Sequence, residues 1–476
     1  MTSINPRQPM IRFLSERELD KIHLASLQIL ERTGLNVHHA EARESLVKAG
    51  ARVEGVRARI PSHLVKHALE SAPERVVLCA RTGQRAMFLE GNKTYFGTGS
   101  DLKYTLEHET SERRPSVLKD VERAALVSDA LENIDFVMSF GLASDRPPKL
   151  QDLCHFAAMV RNTAKPLVIT QFEGQEALNR IYQIAVAVAG DEAALRQSPF
   201  FAVYGQFVSP LQHDENALAR LLFCAEKEIP IIYIPTIMAG ATGPVTMAGA
   251  LALGNAEALA GLTIHQLRRP GAPFIYGGCV CPFDMRVGGI AYGAPEWHMA
   301  SAVLSQLSLR YRLPVFSTAG CTDSKLIDEQ AIMEGTYSLL LAGLSGANLI
   351  HDVGYLESGL TGSLVYLTLM DEATAMVKRT LRNFGVDAAS LAVDLVDKVG
   401  PGGHFLEEEH TLRHFRGETW YPALLDRQKF DGWQAQGAPT MQMRALERVH
   451  GILHSHRPAS LPAQAERLIR DLTGGV

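Results

Sequence analysis

The chain has 476 residues, 46% of them hydrophobic and 21% charged, with a formal net charge of −5. That length allows two or more domains or one large α/β barrel with extensions, and the composition suits a globular protein with a sizeable core. With no basic block, nucleic acid is disfavoured as a partner, because neutralising phosphates takes clustered Lys and Arg. The six cysteines are scattered, which argues against a disulfide framework. The first residues hold no apolar signal core, and no uninterrupted apolar run is long enough to span a bilayer, so a cytoplasmic protein without membrane contact is expected.

Residues 1–90 read as an N-terminal α+β extension. Ser15 caps a helix, Glu18 completes a capping box, and Leu19, Ile22, Leu27, Ile29 and Leu30 form its apolar face. Arg75–Cys79 and Met87–Leu89 read as a hairpin around Thr82-Gly83-Gln84. From Tyr95 a regular alternation begins. Strands are predicted near Tyr95, Ile134, Pro166, Pro199, Pro230, Pro273, Pro314 and Asn348. Their starts are 31 to 43 residues apart, one βα unit each. Helical patterns follow at Val117–Leu131, Leu150–Arg161, Glu176–Ala189, Asn216–Lys227, Ala248–Arg268, Glu296–Tyr311, Asp328–Leu344 and Ser363–Phe384. Eight such units predict an α/β fold of the (β/α)8 TIM-barrel type over residues 91–385, with an open sheet as the alternative. The remainder, 386–476, reads as a helical C-terminal tail with two further helices, packed on the barrel or on a second subunit of a homo-oligomer.

In a barrel, the residues at the carboxyl ends of the strands line the site. Those positions gather aromatics (Tyr95, Phe96, Phe140, Phe172, Phe207, Tyr355), acids (Asp101, Asp323, Asp352, Glu357) and the polar groups Gln206, Lys325 and His351. π faces with anionic oxygens suit a cation that has no N–H to donate. Each aromatic taken singly also reads as core, and each acid as a helix cap. Glycines crowd the same loops, and the long loop Gly277–Gly293 follows the sixth strand. No phosphate loop is present, and Gly97-x-Gly99 lacks the third glycine of a dinucleotide fingerprint. His410 and His414 have a zinc-compatible spacing without an HExxH glutamate, and Cys279-x-Cys281 is too short for a CxxC knuckle, so no metal site is assigned. Cys321, near Lys325, is weighed as an activated thiol.

Four phrases carry a resemblance: FSTAGCTDSKLIDEQA, LSGANLIHDVGYLESGLTGS, YGGCVCPFDMRVGGIAYGAPEWH and YFGTGSDLKYTLEHETSERRPSVLKDV. Together they resemble the trimethylamine methyltransferase family over most of the chain. The resemblance implies a TIM barrel that moves a methyl group from a methylated amine to the Co(I) corrinoid, a cobalamin, of a separate protein, with no cofactor held by the chain itself. Archaeal trimethylamine enzymes of the family carry pyrrolysine. This sequence has ordinary residues throughout and so resembles the other branch, which acts on quaternary amines such as glycine betaine, proline betaine, carnitine or γ-butyrobetaine. A quaternary ammonium leaves as a neutral amine, so no residue is assigned as a general acid. Gly277, Gly278, Cys279, Gly354 and Gly359 are expected to face the corrinoid protein. Lys103, Lys325, Arg286, His351 and Gln206 are possible donors to a betaine carboxylate. Two other readings stay open: a quaternary-amine binding protein without turnover, and a metal-dependent barrel hydrolase built on Asp323, Asp352 and His351.

Overall fold

The computed structural model describes residues 8–474. Its centre is a seven-stranded sheet in the spatial order Tyr95–Phe96, Leu349–His351, Val315–Thr318, Phe274–Gly277, Ile231–Ile234, Phe201–Gln206, Leu167–Thr170. Every neighbouring pair is parallel. Parallel neighbours need a crossover, and helices supply it at Leu118–Ala130, Gln151–Asn162, Gln175–Ala189, Glu215–Lys227, Met247–Arg268, Pro295–Tyr311, Glu329–Ser345 and Leu364–Arg382. All eight fall within two residues of the helical patterns in the sequence. Side-chain caps set several of the starts: Asp214 accepts from Ala217 N at 2.9 Å and Asp328 from Ala331 N at 3.0 Å.

Of the eight expected strands, the segment near Ile134 is the exception. It is not a strand, yet it touches both outer strands of the sheet: Phe136 bridges Gly97 and Val137 bridges Leu167, both in the parallel sense. The ladder fails here because a side chain takes its place. Thr98 Oγ1 accepts from Met138 N at 2.8 Å and lies 3.2 Å from Met138 O. Two residues on, Phe140 turns to φ 63°. Lys165 pins the start of the segment. Its Nζ donates to Ser128 O, Leu131 O and Ile134 O at 2.7, 2.5 and 2.6 Å. Lys165→Met strands three carbonyls and is expected to cost about 2–4 kcal/mol, seen as a lower urea midpoint. An unchanged midpoint would mean that water serves those carbonyls equally well.

Side-chain alternation divides the sheet's two faces. Phe136, Met138, Val168, Ala202, Tyr204, Ile232, Ile234, Ile275, Phe316 and Leu349 form an inner cluster, which also includes Val76, Leu78, Met87 and Leu89. The last four belong to the predicted hairpin, Val76–Cys79 paired with Arg85–Leu89. Cys79 N donates to Pro199 O, and Phe88 N to the Tyr95 hydroxyl. The hairpin therefore plugs the inner cluster at the amino-terminal ends of the strands. The outer faces pack against the helices in the main core. Met247–Arg268 is long and apolar enough to cross a membrane by length and composition, but 78% of its most apolar stretch is buried inside the protein.

Ahead of the hairpin, Glu16–Gln28 carries the expected capping box, with Ser15 N donating to Glu18 Oε2 at 2.9 Å. Leu35–Val37, Arg52–Glu54 and Arg57–Arg59 join Gln212–His213 in a small sheet, so the extension is stitched into the loop after strand Phe201–Gln206. The tail corrects the expectation of two helices. It holds Ala388–Leu391, Val393–Val399, Glu409–Glu418, Phe430–Ala435, Met441–Ser455 and Ala463–Thr473. The first four bury no residue and are only 4, 7, 10 and 6 residues long, so they offer little periodicity to read. The last two pack through Ala445, Val449, Ala465 and Ile469.

Candidate active site

The carboxyl ends of the strands converge on Asp352. It follows Leu349–His351 directly, at φ 75°, a conformation that Asp tolerates better than most residues. Its carboxylate accepts from Thr318 Oγ1 at 2.7 Å. His351 Nε2 stands 3.2 Å from Asp352 Oδ1, and His351 Nδ1 stands 2.8 Å from Ser317 O. A carbonyl can only accept, so Nδ1 carries hydrogen, and a bond from Nε2 to Asp352 needs one further proton shared by the pair. Burial pushes the Asp352 carboxyl up, opposed by His351, by the hydrogen bond from Thr318 and by the nearby Tyr355 hydroxyl. The His351 ring lies 4.2 Å from Phe316 and 6.0 Å from Tyr204.

Around this acid stand three tyrosines. Tyr204 points inward from strand Phe201–Gln206, two residues before Gln206 and on the same face. Tyr292 comes from the loop after Gly289–Ile290. Tyr355 follows Asp352 and donates its hydroxyl to Ser100 O. Burial pushes all three phenols up, and the Asp352 charge raises each further. Asp101 joins them at φ 69°. Ser100 Oγ donates to Asp101 Oδ2 at 2.6 Å and lies 2.5 Å from Thr170 Oγ1. Burial, with Asp152 and Asp352 adding repulsion, pushes Asp101 up to about 6. Gly99 lets the parts close up: a Cβ there would run into the Tyr355 hydroxyl and the Asp352 carboxylate. The result is a cage of aromatic and anionic groups, largely buried at the carboxyl ends of the strands. By contrast, a 580 Å³ surface cavity lined by His23, Glu74, Tyr311 and Arg312 lies beside the amino-terminal ends of the strands and has no such convergence.

The structure brings Asp101, Asp352, His351, Tyr355 and Gln206 together, with Gln206 Nε2 donating to Thr236 Oγ1 at 2.8 Å. Phe140 backs the cage from behind, 6.2 Å from Tyr355, ring to ring. Other predicted residues lie elsewhere. Tyr95 faces the hairpin through Phe88, and Phe96 is fully buried with Lys378 6.0 Å from its ring. A two-residue strand starts at the wrong end of the sheet to reach the mouth. Phe207 stacks on His213 and Tyr233 at 4.0 and 4.6 Å, in the core toward the N-terminal sheet. Phe172 is 61% exposed on the rim.

Asp323 is a loop tie: it accepts from Tyr292 N at 2.8 Å, Gly293 N at 2.9 Å and Ser358 Oγ at 2.7 Å, and so positions Tyr292. Glu357 is occupied by Arg113 in a bidentate pair at 2.7 and 2.8 Å. Lys325 donates to Asp323 O, Arg286 pairs with Asp284, and the Lys103 ammonium lies 5.5 Å from the Tyr104 ring. The expected loop Gly277–Gly293 is a hairpin of Cys279–Asp284 and Gly289–Ile290, joined to Thr236–Ala239. Gly277 approaches Phe316 O, Gly354 packs on Phe140 and Leu367, and Gly359 sits against the Tyr292 hydroxyl. Gly278 and Cys279 lie half-buried where the hairpin leaves the sheet.

Cys321 is fully buried, and burial raises its thiol, so it is not activated. Among the described residues the cysteines are free thiols. Among the described residues, Asp323, Asp352 and His351 do not converge as metal ligands, and neither do His410 and His414 with a third group. Sequence reading missed Tyr204 and Tyr292. Period two counted back from Gln206 would have found Tyr204; Tyr292 sat in a loop read for its glycines alone.

A family model described as trimethylamine methyltransferase matches residues 1–473. The chain belongs to the trimethylamine methyltransferase family. It is 33% identical over 460 residues to a trimethylamine methyltransferase of Desulfitobacterium hafniense, covering 96% of this chain and 92% of that protein. It is 32% identical over 462 residues to a glycine betaine methyltransferase of the same species, covering 96% and 95%. It is 33% identical over 459 residues to the Methanosarcina barkeri trimethylamine methyltransferase, covering 94% and 91%. Among solved structures, the hydroxylamine complex of a monomethylamine methyltransferase superposes with TM-score 0.51 at 12% identity, over 99% of this chain and 90% of that one. At that identity the likeness concerns the fold. As a member of the family, the chain is a methyltransferase, and the cage is its candidate active site.

Proposed function

We propose that this methyltransferase takes a methyl group from a quaternary amine, glycine betaine or a related betaine, and passes it to the corrinoid of a separate partner protein. The observation that carries this reading is the cage of Tyr204, Tyr292 and Tyr355 around Asp352 and Asp101. A quaternary ammonium offers no N–H, so aromatic faces and carboxylate oxygens are the groups that hold it. The corrinoid, when brought by its partner, supplies the acceptor for the methyl carbon. The task of this chain is to bind the cation, turn one methyl toward the mouth and exclude water. The amine leaves neutral, so no proton donor is required. Both acids are raised by burial, which keeps the resting cation from being held too tightly.

The rim supports docking of a partner. Phe172, Val208, Val245, Met285, Val287, Leu326 and Leu360 are exposed, all in loops after strand ends. Apolar side chains gathered around one opening fit a macromolecule that seats there. In this proposal residues 91–385 are a barrel whose eighth stave is the segment near Ile134, between the extension 1–90 and the tail 386–476. Exposed Val393, Val396, Leu406 and Leu412 in the tail support a homo-oligomer, working in the cytoplasm.

Calorimetric titration with glycine betaine, proline betaine, carnitine, γ-butyrobetaine, choline and trimethylamine tests the reading. Selective binding of one quaternary amine, weaker binding of its demethylated product, and methyl transfer only with a reduced corrinoid protein are expected. Binding without transfer would leave a binding protein, and no binding by any of the six would overturn the proposal. The pH dependence is also set. Asp101 holds its proton below about 6, and a bound cation favours the carboxylate. Affinity should therefore rise with pH through about 6 and then level, with proton release on binding below that pH. Asp101→Asn should flatten the rise. Without ligand the sign is opposite: a raised carboxyl lends stability below 3.8 that is lost as pH climbs toward 6.

A further inference from the structure

We propose that His108, Glu109 and His450 bind one divalent cation of the zinc class, clipping helix Met441–Ser455 to the hairpin beside the mouth. His108 and Glu109 lie in the turn between Tyr104–Leu106 and Arg113–Pro115, and His450 lies on helix Met441–Ser455. Their ligand atoms all fall within 4.8 Å of one another. Glu109 Oε1 stands 2.9 Å from His450 Nε2 and 3.9 Å from His108 Nε2. Tetrahedral zinc with bonds of about 2.0–2.2 Å spaces its ligands roughly 3.3 Å apart. Small side-chain rotations bring these three to that spacing.

The outer shell of such a site is already in place. His108 Nδ1 is 2.8 Å from Glu107 Oε1. A carboxylate accepts, so Nδ1 carries the hydrogen, and Nε2 presents its lone pair toward Glu109. Glu107 is itself held by Arg114, with Arg123 at 3.7 Å. The His108 side chain is 8% exposed, whereas Glu109 and His450 are 60% and 43% exposed. One ligand is thus fixed and buried, and two are accessible, with room for water at the fourth position. Two imidazoles and one carboxylate suit zinc or a similar borderline metal rather than magnesium or calcium.

The clip would act on the active site from outside. Tyr104–Leu106 pairs with Thr361–Gly362, which pairs with Tyr355–Leu356. Arg113, on the partner strand of that hairpin, holds Glu357. Fastening this hairpin to the tail steadies the strand pair that presents Tyr355.

The test uses the full chain stripped with chelator and titrated with zinc sulfate by calorimetry, then with cobalt chloride by visible absorption. His108→Ala and His450→Ala are compared with wild type, and His414→Ala controls for zinc held by His410 and His414, whose rings lie 4.5 Å apart. Wild type should bind one equivalent with a tetrahedral cobalt spectrum and release helix Met441–Ser455 to trypsin more slowly once loaded. Both site variants should lose at least tenfold in affinity while the control keeps it. If His108→Ala fails to fold, His450→Ala decides, since that side chain is substantially exposed. An absent wild-type equivalent, or one that His450→Ala retains, overturns the proposal and leaves an ordinary ion pair between His450 and Glu109.

Discussion

Asp352→Asn is expected to lower quaternary-amine turnover by about a hundredfold or more while shifting Tm by only a few degrees. The two halves of this expectation have separate grounds. Asn tolerates the left-handed backbone at position 352, and its carbonyl can still accept from Thr318 Oγ1, so the local frame stays. What goes is the charge. Three tyrosines and the His351 ring enclose this carboxylate with little water, where its attraction for a bound cation would be weakly screened. Steady-state kinetics with the partner protein, alongside calorimetric affinity, measure the effect. If both stay within about threefold of wild type, Asp352 is not the anion that holds the substrate, and the cage reading fails.

Gly99→Ala should be the second large effect, and its sign runs against the usual one. Replacing a glycine by alanine often stabilises by about 0.4–1 kcal/mol, through the unfolded chain. At Gly99 the new methyl would meet the Tyr355 hydroxyl and the Asp352 carboxylate, both fixed by their own hydrogen bonds. Overpacking of this kind costs about 1–3 kcal/mol. Displacing Tyr355 and Asp352 together should lower substrate affinity by about fivefold to several hundredfold, since each aromatic or anionic contact to the cation is worth about 0.5–2 kcal/mol. Gly451 is the control: it sits in a helix with no heavy atom within 4 Å of an added Cβ, and Gly451→Ala should stabilise. Equal behaviour of the two variants would mean that the cage is loose enough to absorb a methyl group.

The βα rhythm was legible because it rests on long apolar periods and on prolines that open strands. Pro166, Pro199, Pro230, Pro273 and Pro314 each stand just before an observed strand. The segment near Ile134 has the same apolar composition, but the Thr98 hydroxyl takes over its backbone partners, a tertiary event that periodicity does not encode. Within the site, the positions just after long strands or ending them were legible: Gln206, His351 and Asp352. Tyr95 and Phe96 were misplaced because a two-residue strand gives no direction along which to count. Asp323 and Glu357 were legible as acids in the right loops, but their partners, backbone N–H groups and Arg113, come from distant segments. Tyr204 was hidden by resembling core, and it is in fact part of the inner cluster as well as the cage wall.

The hairpin of Val76–Cys79 and Arg85–Leu89 has a kinetic consequence. It seals the inner cluster at the amino-terminal end of the strands, so, on the proposed function, amine, demethylated product and methyl acceptor would share the carboxyl end of the strands. Traffic through one doorway would then impose an order: the amine would enter first, the acceptor protein would stand in the entrance, and the product would wait until that protein stepped away. Excess acceptor protein would therefore block both loading and release, and turnover would fall at high acceptor concentration when the amine is scarce.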